Sequence, residues 1–243
     1  MTSPEVTEDT MLGGQVRILQ PKVGYRAAID PVLLAAAVKG KARDRVLDVG
    51  CGTGAAMFCL AARIPGIDVS GLERQPDLAA LAQASIKLNA FETRARVVVG
   101  DLSTLPDIIC ATPFDIVISN PPFGSDGPPS PQPSIAAAHH ESDMNLTQWI
   151  GACLKLLKPK GRFLLIHRAD RLGEIMSALR PGCGDIHITP LFPKKGEPAK
   201  RVIIDAGKGR NTGDTINPGL VLHTATGAFT VEAETILRGA AGL

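Results

Sequence analysis

The sequence is short of aromatic residues: its 243 residues include one Trp, one Tyr and seven Phe. Modules that bind RNA by stacking bases on several aromatic side chains are therefore not expected. The five cysteines are odd in number and include no Cys-x-x-Cys pair. A disulfide framework and a structural zinc site are likewise not expected, and the cysteine pattern suits a reducing, cytoplasmic location.

Long apolar runs and a strong charge of either sign are also missing. No stretch approaches the roughly 20 apolar residues that cross a bilayer, so no membrane partner is expected. Residues 1–10 are polar and acidic, unlike a secretory signal. The formal net charge of +2 argues against binding nucleic acid through overall charge but allows a local basic patch. An apolar fraction of 44% is enough for the core of one large domain.

Strand-like and helix-like segments alternate from residue 31 onward. This alternation predicts an α/β fold, with a mostly parallel sheet covered by helices on both faces. The last two main strands have no helix between them, so we expect a closing antiparallel hairpin. The predicted strands are 45–49, 69–72, 96–99, 114–119, 162–167, 185–189, 201–206 and 220–223, and the predicted helices are 31–38, 55–63, 76–89, 146–157, 172–179 and 231–238.

A glycine-rich turn, Val-Leu-Asp-Val-Gly-Cys-Gly-Thr-Gly at 46–54, follows the first strand and opens a helix. In that context glycines let the backbone turn tightly and let a ligand approach it.

A dinucleotide is one candidate, because Gly50, Gly52 and Ala55 fit the relaxed pattern G-x-G-x-x-A. However, Asp48 would repel a pyrophosphate, whereas it suits the cationic groups of S-adenosylmethionine. A purely structural turn is the third alternative. The predicted cofactor is S-adenosylmethionine, bound by Asp48, Gly50, Cys51, Gly52 and Gly54.

The ends of the next two strands complete the predicted cofactor site. Glu73 has two acceptor oxygens for two ribose hydroxyls, and Arg74 follows it. Asp101 is placed to accept from the adenine amino group, with Leu102 packing on the ring. The structural alternatives are a solvated carboxylate for Glu73 and an ordinary turn for Asp101.

The fourth strand ends in Asn120-Pro121-Pro122-Phe123. Two prolines stop the hydrogen-bond ladder and leave the Pro121 carbonyl without a local partner. The Asn120 side-chain oxygen and this carbonyl can accept both hydrogens of an amino group, while Phe123 offers a stacking face. An adenine amino nitrogen is a poor nucleophile, and two acceptors hold it where charge develops. We predict these four residues to be catalytic and Asn120 also to contact the cofactor; a proline-rich strand terminator with a core Phe is the alternative.

Together the two motifs resemble class I methyltransferases that act on planar exocyclic or amide nitrogens. The run from Leu19 to Arg26, with Asp30, Leu33-Leu34 and Pro190-Leu191, is similar to the tRNA(Val) adenine-37 N6-methyltransferase family. The resemblance implies a Rossmann-like seven-stranded fold and places Arg26 in a segment that folds over the cofactor. The expected organisation is an N-terminal extension at 1–30, a methyltransferase domain at 31–210 and a C-terminal strand–helix extension at 211–243.

The expected function is methyl transfer from S-adenosylmethionine to the N6 of an adenine in RNA, with tRNA as the expected substrate. Guanine N2 in ribosomal RNA and a protein glutamine amide stay open, because their methyltransferases share the Asn-Pro-Pro-aromatic motif. About 40 residues precede the glycine turn, which argues against the glutamine enzymes and their larger N-terminal domain. A non-catalytic cofactor- or RNA-binding protein has no need of the motif, and a dehydrogenase is a remote third class.

Three further stretches carry weaker signals. Residues 124–133 contain four prolines and two glycines, and we predict a mobile loop that orders over the target nucleotide, with a disordered surface loop as the alternative. His139, His140 and Glu141 are not expected to bind a metal, because adjacent side chains point apart. The most basic stretch is predicted either to contact RNA phosphates or to be a solvated hairpin. It contains Lys194, Lys195, Lys200, Arg201, Lys208 and Arg210. The oligomeric state stays open.

Overall fold

The computed structural model describes residues 5–24, 26–121 and 144–243. The helices are α1 (Asp30–Ala37), α2 (Ala55–Arg63), α3 (Pro76–Leu88), α4 (Asp107–Cys110), α5 (Leu146–Lys155), α6 (Leu172–Leu179) and α7 (Val231–Gly239). The strands are β1 (Val6–Met11), β2 (Val16–Pro21), β3 (Arg45–Val49), β4 (Asp68–Glu73), β5 (Ala95–Val99), β6 (Phe114–Ser119), β7 (Leu157–Arg168), β8 (Cys183–Lys194), β9 (Arg201–Lys208), β10 (Thr215–Ile216) and β11 (Leu220–His223).

The main sheet runs in the order β10-β8-β9-β7-β6-β3-β4-β5, with β11 also paired to β8. Neighbours from β5 to β7 are parallel, whereas β9 is antiparallel to both β7 and β8. The chain builds outward from β3 to β5 and then crosses back to β6 on the other side of β3. In open α/β sheets, ligands bind at the carboxyl ends of strands where the order reverses. We call this side, where β3, β4, β6 and β7 finish, the cleft end of the sheet.

This architecture confirms the predicted mostly parallel α/β sheet with a closing antiparallel hairpin. The described sheet has nine strands rather than the seven that the resemblance implies, because the short strands β10 and β11 both pair with β8. The hairpin is longer than predicted, because β8 and β9 continue to Lys194 and Lys208 with a register shift between Gly184 and His187. The β1–β2 hairpin was missing from the prediction. Its alternating buried positions include Gln20, which is polar but donates to Asp9 and accepts from the Ala27 N–H.

Two apolar clusters cover the two faces of the sheet, and both chain ends take part in one of them. Val16 of β2 and Ile236 of α7 pack in the same cluster as Phe58 of α2. The β1–β2 hairpin is attached to α3, where Ser85 Oγ accepts from the Leu19 N–H at 2.9 Å. The predicted boundaries of the two extensions stay a prediction, although both extensions share the core of the central segment. No helix in the described ranges is long and apolar enough to cross a membrane.

Gly71, in the middle of β4, gives the glycine-rich turn room to pack. A Cβ built on Gly71 would lie 2.5 Å from Cys51 Sγ and 2.9 Å from Met57 Sδ. Cys51 belongs to the turn and Met57 to the first turn of α2. A side chain at Gly71 therefore has to displace the turn, the helix or the strand.

We expect Gly71→Ala to lower the free energy of unfolding by about 1–3 kcal/mol through overpacking. Gly151→Ala is the matched control, because it lies in α5 with nothing within 4 Å of the added Cβ. That control should raise stability by about 0.5–1 kcal/mol, since Gly is a poor helix former. Urea unfolding followed by the fluorescence of the single Trp measures both; similar effects of the two substitutions would contradict the packing argument.

Candidate active site

The glycine-rich turn after β3 is fastened to the end of β4. The N–H groups of Gly50 and Cys51 donate to the Leu72 carbonyl at 2.9 and 3.1 Å. The N–H of Gly52 donates to Glu73 Oε2 at 2.8 Å. Gly50, Gly52 and Gly54 have φ values of +72°, +56° and +92°, in the left-handed region that favours glycine. The glycine spacing thus matches a requirement of the backbone at all three positions.

Glu73 is a structural part of this turn. Its side chain is buried, and its two oxygens accept from the N–H groups of Gly52 and Gln75, at 2.8 and 2.9 Å. This burial excludes the solvated carboxylate that we kept as an alternative. Each carboxylate oxygen can accept more than one hydrogen bond, so both oxygens keep capacity for a ligand. The ribose-binding role of Glu73 stays a prediction.

Asp48, the last residue but one of β3, is the other buried carboxylate. It is 3% exposed, and Oδ2 has no hydrogen-bond partner within the described residues. The pKa of Asp48 is raised to about 7, and burial is the largest cause. A hydrogen bond from the Met57 N–H opposes this rise, and the negative charge of Glu73 adds to it. A cation beside Asp48 would return its pKa toward the usual range.

A cleft at the end of β3 and β6 brings Asp48 together with two further unsatisfied groups. Thr53 Oγ1 and Asn120 Oδ1 are also buried without a partner in the described part of the chain. A buried polar atom left unpaired costs about 1–3 kcal/mol, so three in one cleft mark a site built to be filled. The cleft is lined by Ala27, Pro31, Asp48, Gly50, Cys51, Thr53, Ala55, Ala56 and Asn120.

The donors and charge of S-adenosylmethionine fit this lining. Its ammonium and sulfonium groups are positive, and its ribose carries two hydroxyl donors. Asp48 supplies a buried acceptor for a cation, Glu73 supplies acceptors at the adjacent strand end, and Gly50, Cys51 and Thr53 of the turn line the cleft. A pyrophosphate would instead bring negative charge next to Asp48, which argues against a dinucleotide.

Half of the predicted catalytic motif lies in the described structure. Asn120 follows β6 directly and lines the cleft, and its side-chain oxygen is buried. Pro121 is buried beside it. Pro122 and Phe123 lie outside the described residues, as do the 124–133 loop and His139, His140 and Glu141. Among the residues that are described, no group of three or more His, Cys, Asp or Glu side chains could hold a metal ion.

Asp101 and Arg74 lie next to Glu73, where the sequence predicts the adenine. The Gly100 N–H donates to the Glu73 carbonyl at 2.9 Å, which joins the ends of β5 and β4. Asp101 Oδ1 accepts from the N–H and hydroxyl of Ser103, and Oδ2 lies 3.7 Å from the Arg74 guanidinium. The Ser103 hydroxyl, more than Arg74, holds the pKa of Asp101 below its usual range. Leu102 is buried in the core, and the adenine-binding roles stay predictions.

Arg26 is directed away from the cleft. Its guanidinium donates to Asp9 at 2.6 Å, to Thr7 Oγ1 at 2.8 Å and to the Pro21 carbonyl at 3.2 Å, all in the β1–β2 hairpin. Ala27 lines the cleft instead. The predicted segment thus runs along the cleft, but a cofactor contact by Arg26 stays a prediction and would require these three bonds to rearrange.

Trp149 and Ser119 also contribute to the site, and sequence reasoning missed both. Trp149 Nε1 donates to Ser119 Oγ at 3.0 Å, and Ser119 Oγ donates to the Val49 carbonyl at 2.9 Å. A Cβ built on Gly50 would lie 3.5 Å from the indole, so the ring covers the turn. The bonds link the end of β6, just before Asn120, to the end of β3. Trp149 fits the helical spacing of α5, which signals only a core position.

A family model described as a methyltransferase domain matches residues 41–207 of this chain. A tRNA1(Val) (adenine(37)-N6)-methyltransferase from Porphyromonas gingivalis is 30% identical over 227 residues, which cover 90% of this chain and 89% of the relative. A protein of the same name from Aeromonas salmonicida is 26% identical, covering 88% of this chain and 89% of the relative.

Solved structures agree on the fold. A predicted O-methyltransferase from Agrobacterium tumefaciens superimposes with a TM-score of 0.73 at 29% identity, covering 88% of this chain and 98% of that one. A SAM-dependent O-methyltransferase from Thermotoga maritima gives a TM-score of 0.55 at 21% identity, covering 79% and 69%. These similarities confirm the predicted Rossmann-like class I methyltransferase fold.

We expect the affinity for S-adenosylmethionine to fall by about tenfold from pH 8 to pH 6, because the ionised fraction of Asp48 falls with its pKa near 7. Binding of a cation needs that charge. Asp48→Asn should bind weakly at both pH values and retain only the pH dependence of the ligand itself. Asp68→Asn, at an exposed position that begins β4, should keep the wild-type profile. Calorimetric titration measures all three; equal profiles for the wild type and Asp48→Asn would contradict the assignment.

Ser119 is expected to act as a positioning residue. Ser119→Ala removes both bonds of the Trp149–Ser119–Val49 chain and should reduce kcat for methyl transfer about tenfold, since small misplacements of reacting groups are costly. The KM for S-adenosylmethionine should change less than twofold. Ser119→Thr, which keeps the hydroxyl, should restore most of kcat. Ser177→Ala removes an exposed helical hydroxyl as a control; a matching loss of kcat there would show that Ser119 has no special role.

Proposed function

This chain belongs to the methyltransferase-domain family, and on that premise we propose that it methylates the exocyclic N6 of an adenine in RNA, with tRNA as the substrate. It is an S-adenosylmethionine-dependent methyltransferase. When bound, S-adenosylmethionine supplies a methyl group made electrophilic by its sulfonium. The residues that would hold it are Asp48, the Gly50–Gly54 turn and Glu73, with Asp101 beside them.

One observation carries the proposal: Asn120 Oδ1 is buried in the cleft without a partner among the described residues. An amide oxygen in that position accepts a hydrogen bond from a substrate amino group. The Pro121 carbonyl is the second acceptor of the motif. Two acceptors on one amino group orient its lone pair toward the cofactor side of the cleft and favour the charge that develops on nitrogen.

The proposed reaction does not require a strong catalytic base. As the amino nitrogen bonds to the methyl carbon, the bond from that carbon to the sulfonium would break and its electron pair would stay on sulfur as a neutral thioether. The methylated nitrogen is positively charged, so its proton is acidic and is released to solvent without a strong base. Asn120 supplies an acceptor rather than a base, and it has no ionisable group. The proposed role of Asn120 is therefore to hold the amino group, and the cleft must exclude water from the reacting atoms.

The curated relatives support tRNA and adenine N6 through their printed names. Those relatives are 26–30% identical, a range in which the substrate nucleotide can differ while the fold and the reaction stay the same. The guanine N2 and glutamine amide alternatives also present a planar nitrogen to the same motif. The experiment must therefore separate the three acceptors directly.

The test uses purified protein, S-adenosylmethionine with a labelled methyl group, and three substrates in parallel: unmodified tRNA, ribosomal RNA and a release factor. We expect label in tRNA, recovered as N6-methyladenosine after digestion. Asn120→Ala should reduce kcat about a hundredfold or more while the affinity for S-adenosylmethionine changes little. Asn211→Ala removes an exposed Asn and should behave like the wild type.

Each other outcome overturns a defined part of the proposal. Label in ribosomal RNA or in protein would overturn the substrate and keep the reaction class. An active Asn120→Ala variant would overturn the role of Asn120. Cofactor binding without label in any substrate would favour a non-catalytic binding protein.

A further inference from the structure

The basic stretch near the C-terminus is divided by the sheet into two groups at opposite ends. Because β9 is antiparallel to β7, its first residue, Arg201, pairs with Arg168 at the cleft end. Lys194, at the finish of β8, and Lys200, just before β9, belong to the same end. Lys208 finishes β9 at the far end. Residues that are neighbours in the sequence therefore face different surroundings.

The far-end cations are already used by the fold. Lys208 Nζ donates to the carbonyls of Leu154 and Leu157, at 2.7 and 2.8 Å. The Arg210 guanidinium lies 3.5 Å from the Asp185 carboxylate and also donates to the Lys160 carbonyl. These contacts hold β9 and the segment after it against β7 and α5, so this half of the stretch has a structural role.

The cleft-end lysines make fewer contacts with the rest of the fold than the far-end cations do. Lys195 and Lys200 are exposed and contact no carboxylate within the described residues, and Lys194 Nζ contacts only the neutral Ala225 carbonyl, at 3.3 Å. Glu197 is the single acid in the turn between them. The backbone beneath is fixed: the Glu197 N–H donates to the Lys194 carbonyl at 3.1 Å, and the Lys200 N–H to the Leu191 carbonyl at 3.1 Å.

This turn lies beside the cleft. Arg201 Nε donates to Asp30 Oδ2 at 3.1 Å, and Asp30 precedes Pro31, which lines the cleft. Two strand spacings separate β6, which presents Asn120, from β9, so Lys200 is displaced across the sheet by about 10 Å from the reacting position, and Lys194 on β8 is one strand further away. A nucleotide whose base enters the cleft would bring its neighbouring phosphates over such a distance.

We propose that Lys194, Lys195 and Lys200 form a phosphate-binding rim that holds the RNA backbone beside the cleft. This proposal rests on the proposed function for the identity of the polyanion. Ammonium groups without a carboxylate partner attract phosphates without reading sequence. The rim therefore sets RNA affinity and its salt dependence, while the cleft selects the base.

The test compares Lys195→Gln/Lys200→Gln with Lys39→Gln/Lys41→Gln, a matched pair of exposed lysines that precede β3 at the far end. Both double variants remove two positive charges. We expect the rim variant to raise the KM for tRNA about tenfold at 0.1 M salt and to reduce the slope of log Kd against log salt by about 1–2. The kcat and the affinity for S-adenosylmethionine should stay within twofold of the wild type, and the far-end variant should match the wild type throughout.

The rim is overturned if the wild type methylates tRNA and neither double variant changes the KM for tRNA or the salt slope. Equal losses in the two variants would indicate an effect of net charge, which also overturns it. A failure of the proposed function is distinguishable, because it appears in the wild type as an absence of label in tRNA adenine. In that event, tRNA binding measured by gel shift at several salt concentrations still decides whether the rim binds RNA backbone.

Discussion

Two buried carboxylates at adjacent strand ends set the conditions for the rest of the cleft. Taking an ionised carboxylate out of water is costly unless hydrogen bonds or a cation compensate. The fold compensates Glu73 itself, with N–H groups from Gly52 and Gln75. Asp48 keeps Oδ2 unpaired within the described residues, and burial raises its pKa to about 7. One acid thus holds the turn together, and the other is the carboxylate that we propose a cationic cofactor stabilises.

This division explains why the turn has its shape before any ligand binds. Gly50 and Gly52 both have a positive φ, and their N–H groups bond to the Leu72 carbonyl and the Glu73 carboxylate. The indole of Trp149 covers Gly50 from the other side. A turn fixed from two sides loses little conformational freedom on binding, so more of the contact energy contributes to affinity.

The parts of the fold that could be predicted from the sequence are those with local signals. The turn at Gly50–Gly54 and the strand end at Asn120 follow from glycine spacing, apolar runs and prolines that act within a few residues. The β1–β2 hairpin was missed because its polar Gln20 is buried by partners at Asp9 and Ala27. The Trp149–Ser119 bond joins residues 30 apart, and the direction of Arg26 depends on a partner 17 residues away. No local pattern contains such distant pairings.

The net charge of this molecule is a poor guide to whether and where it could bind a polyanion. A formal charge of +2 on 243 residues argues against binding a polyanion only if charge is spread evenly over the surface. At physiological salt, surface charges act over about 8 Å, so what matters is which cations lie together without acids. The antiparallel turn between β8 and β9 brings three lysines together with a single acid, Glu197. It sends Lys208 to the carbonyls of Leu154 and Leu157, while it leaves Lys195 and Lys200 exposed beside the cleft. Sheet topology, which composition cannot show, therefore decides where a nearly neutral chain can meet a phosphate backbone.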